Sequence, residues 1–166
     1  PVEFVTPDNF RDGFHNPDRR PGAYVSLAHG LEWFGFFREW PGAELPEATE
    51  RALLDKALQN AVQPEGAFVD QFYLTERRCA GQASFWTQSE AVKGFCLGAR
   101  LFGEPYGGAF RRTTDFYFAR FLDADGGVFS SVDRNGVATS RMKGHPFKSD
   151  YHSLRMCVEG MRNENG

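Results

Sequence analysis

The stretch from Ser84 to Phe102 reads SFWTQSEAVKGFCLGARLF, and it decides the fold. Its apolar residues have helical spacing, and Gly103-Glu104-Pro105 ends the pattern. Its first turns also carry polar groups where an ordinary core helix has only aliphatic side chains. Two further segments, LAHGLEW from Leu27 and KSDYHSLR from Lys148, begin in the same way. We therefore predict helices whose first turns point into one shared pocket.

The rest of the chain alternates helical patterns with short strand-like runs. Residues 1–22 are rich in Pro, Gly, Asp and Asn, which predicts an irregular lead-in. A strand is predicted over 66–74, and Asn135-Gly136 predicts a hairpin turn within 125–139. Paired helices joined by hairpins indicate an all-α ring, an α/α toroid, of which five helices form only part. The predicted helices cover about 26–40, 46–61, 84–102, 106–122 and 151–162.

Composition narrows the class of protein. The 166 residues suffice for one core, so we expect a single domain over 1–166. The net charge of -3 argues against a nucleic-acid partner, and no apolar run reaches the ~20 residues of a membrane span. Three widely spaced cysteines predict reduced thiols in a cytoplasmic protein. Pro1 is not a natural start, which suggests a fragment.

His29 and Glu32 form the first candidate group. They are three residues apart, so they share one face of a helix. A carboxylate beside an imidazole can orient it for general acid/base work near neutral pH. The structural alternative is a histidine at a helix start, with Glu32 capping the first turn.

Trp86, Gln88 and Glu90 form the second group. Trp86 and Glu90 share a helix face, where an indole can cover the apolar side of a sugar and a carboxylate can accept its hydroxyls. The aromatic residues of the whole chain, 17 Phe, 3 Trp and 5 Tyr, suit a carbohydrate pocket or simply a core. Trp86 is equally compatible with a core position, and Gln88 with a surface position.

His152 and Arg155 form the third group, at the start of the last predicted helix. The alternative is a capped helix with Asp150 as its cap. His15 and His145 lack such surroundings and are expected in loops. No phosphate loop, GxGxxG, GxSxG or HExxH pattern occurs, so neither a cofactor nor a metal is expected. Glycoside hydrolysis by paired carboxylates stays open, with Glu32, Glu90 and Asp70 available.

Four motifs in order resemble the superfamily of N-acylglucosamine 2-epimerase, cellobiose 2-epimerase and mannose isomerase. They are His-x-x-Glu at His29, the segment from Phe85 to Ala91, the Asp-Gly-Gly hairpin that ends at Gly136, and Lys-x-x-Tyr-His-x-x-Arg from Lys148. The resemblance implies an (α/α)6 barrel of about twice this length, of which the chain would be the C-terminal half. A homodimer or a missing N-terminal half would complete it.

The resemblance also implies metal-independent proton transfer on a sugar. One histidine removes the C2 proton of the open aldehyde to give a cis-enediolate, and the other returns a proton. By position these are His152 and His29, with Glu32 orienting His29 and Trp86 stacking on the sugar. Glu90, Arg155 and Gln88 would bind the substrate. A glycoside hydrolase or lyase, or a non-catalytic carbohydrate-binding module, are the alternatives.

Overall fold

The computed structural model describes residues 24–140, 142–144 and 150–164. Within them five helices dominate, and the strands are only two or three residues long. The predicted lead-in over 1–22 lies outside the described residues, as do His15 and His145. The helices are α1 (Leu27–Glu39), α2 (Glu47–Asn60), α3 (Phe85–Phe102), α4 (Tyr106–Arg120) and α5 (Tyr151–Glu164).

All five predicted helices are confirmed, and each end lies within two residues of the prediction. Side-chain caps explain where α1 and α3 begin. The Ser26 hydroxyl accepts the backbone N–H of His29 at 3.2 Å, and Ser84 forms a capping box with Thr87. Ser26 is therefore the cap of α1, so the alternative of Glu32 as its capping residue is wrong.

Helix α3 is the centre of the fold, since it packs against α1, α4 and α5. Most of its residues are buried, including the polar side chains of its first turns. In the described part of the chain, no helix has the length and apolar content of a membrane span. The largest buried apolar side chains around α3 come from several elements: Leu31, Phe34, Leu54, Phe68, Phe95, Tyr117 and Phe121.

Two small antiparallel sheets lie at the starts of α1 and α3. One sheet has the order β1-β2-β3, and the other pairs β4 with β5. Strand β1 runs directly into α1, and β4 runs directly into α3, so the sheets fix where these two helices begin. The strands are β1 (Tyr24–Ser26), β2 (Gln71–Tyr73), β3 (Arg78–Ala80), β4 (Ala83–Ser84) and β5 (Ser131–Val132).

The strand predicted over 66–74 is confirmed only in its last part. Only Gln71–Tyr73 is a strand, and Phe68 makes an isolated bridge with Val62. The physical reason is the side chain of Gln88, which accepts the backbone N–H of Phe68 at 2.8 Å and donates to the carbonyl of Gly66 at 2.9 Å. These backbone groups therefore bond a side chain of α3 instead of a neighbouring strand.

The hairpin predicted within 125–139 is confirmed at its turn. The amide of Gly136 donates to the carbonyl of Asp133 at 3.0 Å, and Val132 bridges Ala138. Its first strand, β5, also pairs with β4, so Ser131 lies opposite Ser84. This second pairing attaches the hairpin to the start of α3, which the sequence pattern did not predict.

Candidate active site

His152, on the first turn of α5, is held by a buried carboxylate. Its Nδ1 lies 2.8 Å from Oε1 of Glu90, on α3. An ionised carboxylate can only accept hydrogen bonds, so Nδ1 carries the proton in this contact. In the neutral ring Nε2 then has the free lone pair. The contact thus orients His152 and gives it the tautomer that a general base with a reactive Nε2 requires.

Glu90 is itself paired on both oxygens. Its Oε2 lies 2.5 Å from Nζ of Lys93, one turn along α3. Both side chains are almost completely buried, with exposed fractions of 0% for Glu90 and 2% for Lys93. A buried charge is tolerated when an opposite charge and hydrogen bonds compensate it. The two cationic or N–H partners therefore explain how an acidic residue can lie inside α3.

Trp86 brings the two histidines to one place. The ring of His29, on α1, has its centroid 5.0 Å from that of Trp86, and the ring of His152 has its centroid 5.6 Å from it. Three helices thus contribute one aromatic or imidazole ring each to a single cluster. The shared pocket predicted from the polar first turns is present for these three side chains.

A cavity of about 290 Å³ opens at this cluster. A neighbouring cavity of about 460 Å³ also touches His29 and Trp86 and extends along β1 and β2. Both are within or close to the size range of small-molecule sites in proteins. The smaller cavity is lined by His29, Glu32, Phe85, Trp86 and His152.

Glu32 lies in this cavity with a perturbed acidity. Burial raises the pKa of its carboxyl above the usual value, and the negative charge of Glu90 raises it further. The positive charges that His152, His29 and Lys93 can carry act in the opposite direction and are smaller influences. Glu32 therefore holds a proton to higher pH than an exposed glutamate and interacts with both imidazoles.

One oxygen of Glu32, one oxygen of Glu90 and a ring nitrogen of His152 lie within 4.8 Å of one another. In the described part of the chain, this is the group whose donor set could hold a divalent cation. However, Oε1 of Glu90 already contacts Nδ1 of His152, and Oε2 already forms an ion pair with Nζ of Lys93. The carboxylate would have to leave these partners to bind a metal, so we assign none.

Two residues predicted to bind substrate point elsewhere. Arg155 forms an ion pair with Glu39 at the end of α1, and its guanidinium lies over the rings of Phe36 and Tyr151. Gln88 is fully buried, and its amide group bonds three backbone groups of other segments. The structure thus gives Gln88 a structural role and shows that the surface alternative for it is wrong.

Sequence reasoning missed Lys93 and Phe85 as parts of the site. Phe85 lines the cavity, and Lys93 lies behind Glu90. A signal for Lys93 was present, because a lysine three residues after a glutamate shares its helix face and interrupts an otherwise apolar run. Lys148, which belongs to the fourth motif, lies outside the described residues.

Comparisons with known proteins concern the sequence and the fold of the chain. No protein-family model matches the sequence. N-acylglucosamine 2-epimerase from Bos taurus is 29% identical over 157 residues, which are 86% of this chain and 37% of the bovine protein. The chain therefore spans less than two fifths of this curated relative.

Solved structures give the same result for the fold. Cellobiose 2-epimerase from Spirochaeta thermophila superimposes with a TM-score of 0.64 at 26% identity, over 89% of this chain and 40% of that one. The chain is thus similar in sequence and in fold to enzymes of the sugar 2-epimerase and isomerase superfamily. A D-mannose isomerase, 17% identical, shares the fold with a TM-score of 0.74 over 95% of this chain and 41% of its own. The predicted resemblance to the C-terminal half of this (α/α)6 toroid is thus confirmed.

Proposed function

We propose that this chain carries the proton-transfer part of a sugar 2-epimerase or aldose–ketose isomerase. The observation that supports this most is the placement of two imidazoles, His29 and His152, against one indole at a shared cavity. Two residues able to take and give protons near neutral pH are what an exchange next to a carbonyl needs. The relatives named as epimerases and isomerases agree with this chemistry.

In the proposed reaction the sugar reacts in its open aldehyde form. Nε2 of His152 takes the proton from C2, the C2–H electron pair forms the C1=C2 bond, and the carbonyl oxygen gains negative charge, which gives a cis-enediolate. Return of a proton by His29 to the opposite face of C2 gives the 2-epimer. Delivery of a proton to C1, with the 2-hydroxyl proton passing to O1 so that the carbonyl forms at C2, gives the ketose. No metal takes part in either route.

The remaining cavity residues have supporting roles in this proposal. The ring of Trp86 covers an apolar face of the sugar. Glu32, whose pKa burial raises, can donate a hydrogen bond to the oxygen that becomes negative. Glu90 supports the reaction through His152 instead of through the sugar, because both of its oxygens are already paired.

Hydrolysis of a glycosidic bond is less compatible with these contacts. It requires an acid and a second carboxylate that reaches either the sugar or a water across the cleft. Glu90 is fully buried beneath His152. The Asp70 carboxylate accepts the Ser26 hydroxyl and the amide of Ala28 at 3.0 and 2.6 Å. Of the three carboxylates considered, this leaves Glu32 without a partner for that mechanism.

Proton NMR in D2O tests the proposed function directly. The longest form of the protein that contains these residues would be incubated with mannose, glucose, N-acetylglucosamine, N-acetylmannosamine and cellobiose. Deuterium at C2 together with a new epimer supports epimerisation, and a deuterated ketose supports isomerisation. Release of a shorter sugar without exchange at C2 would contradict the proposal, as would binding of these sugars without any exchange.

We also propose that further helices complete the ring, supplied by an N-terminal half or by a second copy of the chain. Large apolar side chains are exposed on α5 and at the end of α1, including Leu154 at 65% and Trp40 at 72%. Light scattering after size-exclusion chromatography should show a dimer for the isolated chain, and a soluble monomer would contradict this. A cytoplasmic location remains a prediction from the free cysteines Cys79, Cys96 and Cys157.

A further inference from the structure

Lys93 is a buried charge that the proposed reaction does not use. Its side chain is 2% exposed, its Nζ lies 2.5 Å from Oε2 of Glu90, and the ring of Phe36 lies 5.6 Å from the same nitrogen. Removing an ammonium group from water costs several kcal/mol before any pairing is counted. A lysine in this position therefore needs a reason beyond packing.

Gly35 makes the space for this lysine. A Cβ atom at position 35 of α1 would lie 3.1 Å from Cε and 3.3 Å from Nζ of Lys93, closer than ordinary van der Waals contact. Glycine inside a helix is also less favourable than alanine. The close approach of Lys93 accounts for a residue that helix propensity disfavours.

The side chains of Lys93, Glu90 and His152 are in contact one after the other, from α3 to α5. Lys93 pairs with one oxygen of Glu90, and the other oxygen accepts Nδ1–H of His152. With Lys93 present, the carboxylate is already neutralised by one full positive charge. Without it, the isolated negative charge of Glu90 would favour a second proton on the imidazole. That proton would occupy Nε2, the atom that must accept the C2 proton.

We propose that Lys93 is a positioning residue that keeps His152 neutral and tautomerically fixed through Glu90, and that Gly35 is the residue that admits it. The kinetic consequence rests on the proposed function, whereas the state of the imidazole does not. Among the described residues, the ionisable groups around His152 come from three helices: His29 and Glu32 on α1, Glu90 and Lys93 on α3, and Tyr151 on α5, whose ring also contacts the guanidinium of Arg155.

The test is a ¹⁵N NMR titration of the His152 ring without substrate. In the unmodified protein we expect a protonated Nδ1 and an unprotonated Nε2 at neutral pH. In Lys93→Met, which keeps the length of the side chain, the pH at which Nε2 gains its proton should rise by about one unit. The matched control is Lys143→Met, which removes a lysine paired with Asp123 at 2.7 Å and should leave the titration unchanged.

A double variant separates charge from structure. Lys93→Met with Glu90→Gln removes both buried charges, so the Nε2 midpoint should return to the unmodified value or lower. A purely structural role for Lys93 predicts no such return. Gly35→Ala, which retains the lysine and displaces its end, should move the midpoint in the same direction as Lys93→Met by a smaller amount. This milder variant keeps the test informative where Lys93→Met does not fold.

The proposal is overturned if folded Lys93→Met or Gly35→Ala leaves the Nε2 midpoint unchanged, or if the double variant does not reverse the shift. Sugar exchange measured on the same samples reports separately on the proposed function. There, the loss of activity in Lys93→Met should be about fivefold larger at about pH 6.5 than at about pH 8.5, because a one-unit rise in the midpoint removes most of the neutral imidazole only at the lower pH. A midpoint shift in a protein that never exchanges C2 protons would support the role of Lys93 and refute the epimerase assignment.

Discussion

Replacing Gln88 by Glu exchanges one amide nitrogen for oxygen at the centre of the fold. The amide of Gln88 accepts from Phe68 at 2.8 Å and donates to the carbonyls of Gly66 and Thr113, both at 2.9 Å. The side chain is fully buried. An ionised glutamate would place its negative charge against both carbonyl oxygens, and a protonated one could donate to only one of them. The substitution should therefore destabilise the protein and make its stability depend on pH.

The sign follows from the two states of the new carboxyl group. In the folded Gln88→Glu variant, burial and the two carbonyls raise its pKa above the unfolded value of about 4.3. The loss of unfolding free energy caused by the new carboxyl is smallest below the unfolded pKa and grows as pH rises towards the folded pKa. The growth is about 1.4 kcal/mol per pH unit. Relative to the unmodified protein, the loss in the free energy of unfolding of Gln88→Glu should be about 2 kcal/mol larger at about pH 6.5 than at about pH 5.

Urea denaturation at several pH values measures this difference. Gln88→Leu should lose about 3–4 kcal/mol at every pH, because three buried backbone groups lose their partner and no charge is introduced. Gln82→Glu, at an exposed position, is the control and should show no such pH dependence. If the free energies of unfolding of Gln88→Glu and of the unmodified protein differ by the same amount at every pH, the reasoning is refuted.

Three more predictions concern stability and are checked by the same denaturation assay. Asp70→Ala should lower the free energy of unfolding by about 2–3 kcal/mol, because the Ser26 hydroxyl and the Ala28 amide lose their acceptor. Asp70→Asn keeps an acceptor oxygen and should lower it by less than half as much. Equal losses in the two variants would contradict this. Gly66→Ala should lower the free energy of unfolding by about 3 kcal/mol or more, since the φ of Gly66 is 97° and a Cβ would lie 2.1 Å from the carbonyl oxygen of Arg112. Gly126→Ala is the control and should lower it by about 1 kcal/mol, because Gly126 has a φ of 85° but no atom within 4 Å of an added Cβ. Burial raises the folded pKa of Glu32, so the ionisation of its carboxyl lowers the stability of the protein as pH rises above the usual value of 4.5. Glu32→Gln should therefore be more stable than the unmodified protein towards neutral pH, by less than about 1 kcal/mol because the group is half-exposed. Equal stability of the two proteins at neutral pH would contradict this.

Helices were predictable because their signals are local. The stretch from Ser84 to Phe102 contains its own cap and apolar period, Gly103-Glu104-Pro105 ends it, and the structure gives a helix over Phe85–Phe102. The strand predicted over 66–74 is confirmed only at Gln71–Tyr73, because the backbone groups of Gly66 and Phe68 bond Gln88, a side chain distant in sequence. Propensity along the segment carries no information about such a partner.

The candidate site divides in the same way. His29, Glu32 and His152 were found because their spacing relative to helix starts is visible in the sequence, and the structure brings them to one cavity. Arg155 and Glu90 share helices with site residues but do not line the cavity. Arg155 pairs with Glu39, and Glu90 pairs with Lys93 and His152. Which face of a helix meets which neighbour depends on packing between helices, and a single sequence does not contain it.

The central claim is that His152 removes the C2 proton of a sugar. The most direct test is the rate of deuterium incorporation at C2 in D2O, for the sugar that the protein converts, in the unmodified protein and in His152→Gln. Circular dichroism would show that both are folded. We predict that the substitution lowers the rate by at least about 10²-fold while the sugar still binds. A folded His152→Gln protein that exchanges the C2 proton at the unmodified rate would contradict the account.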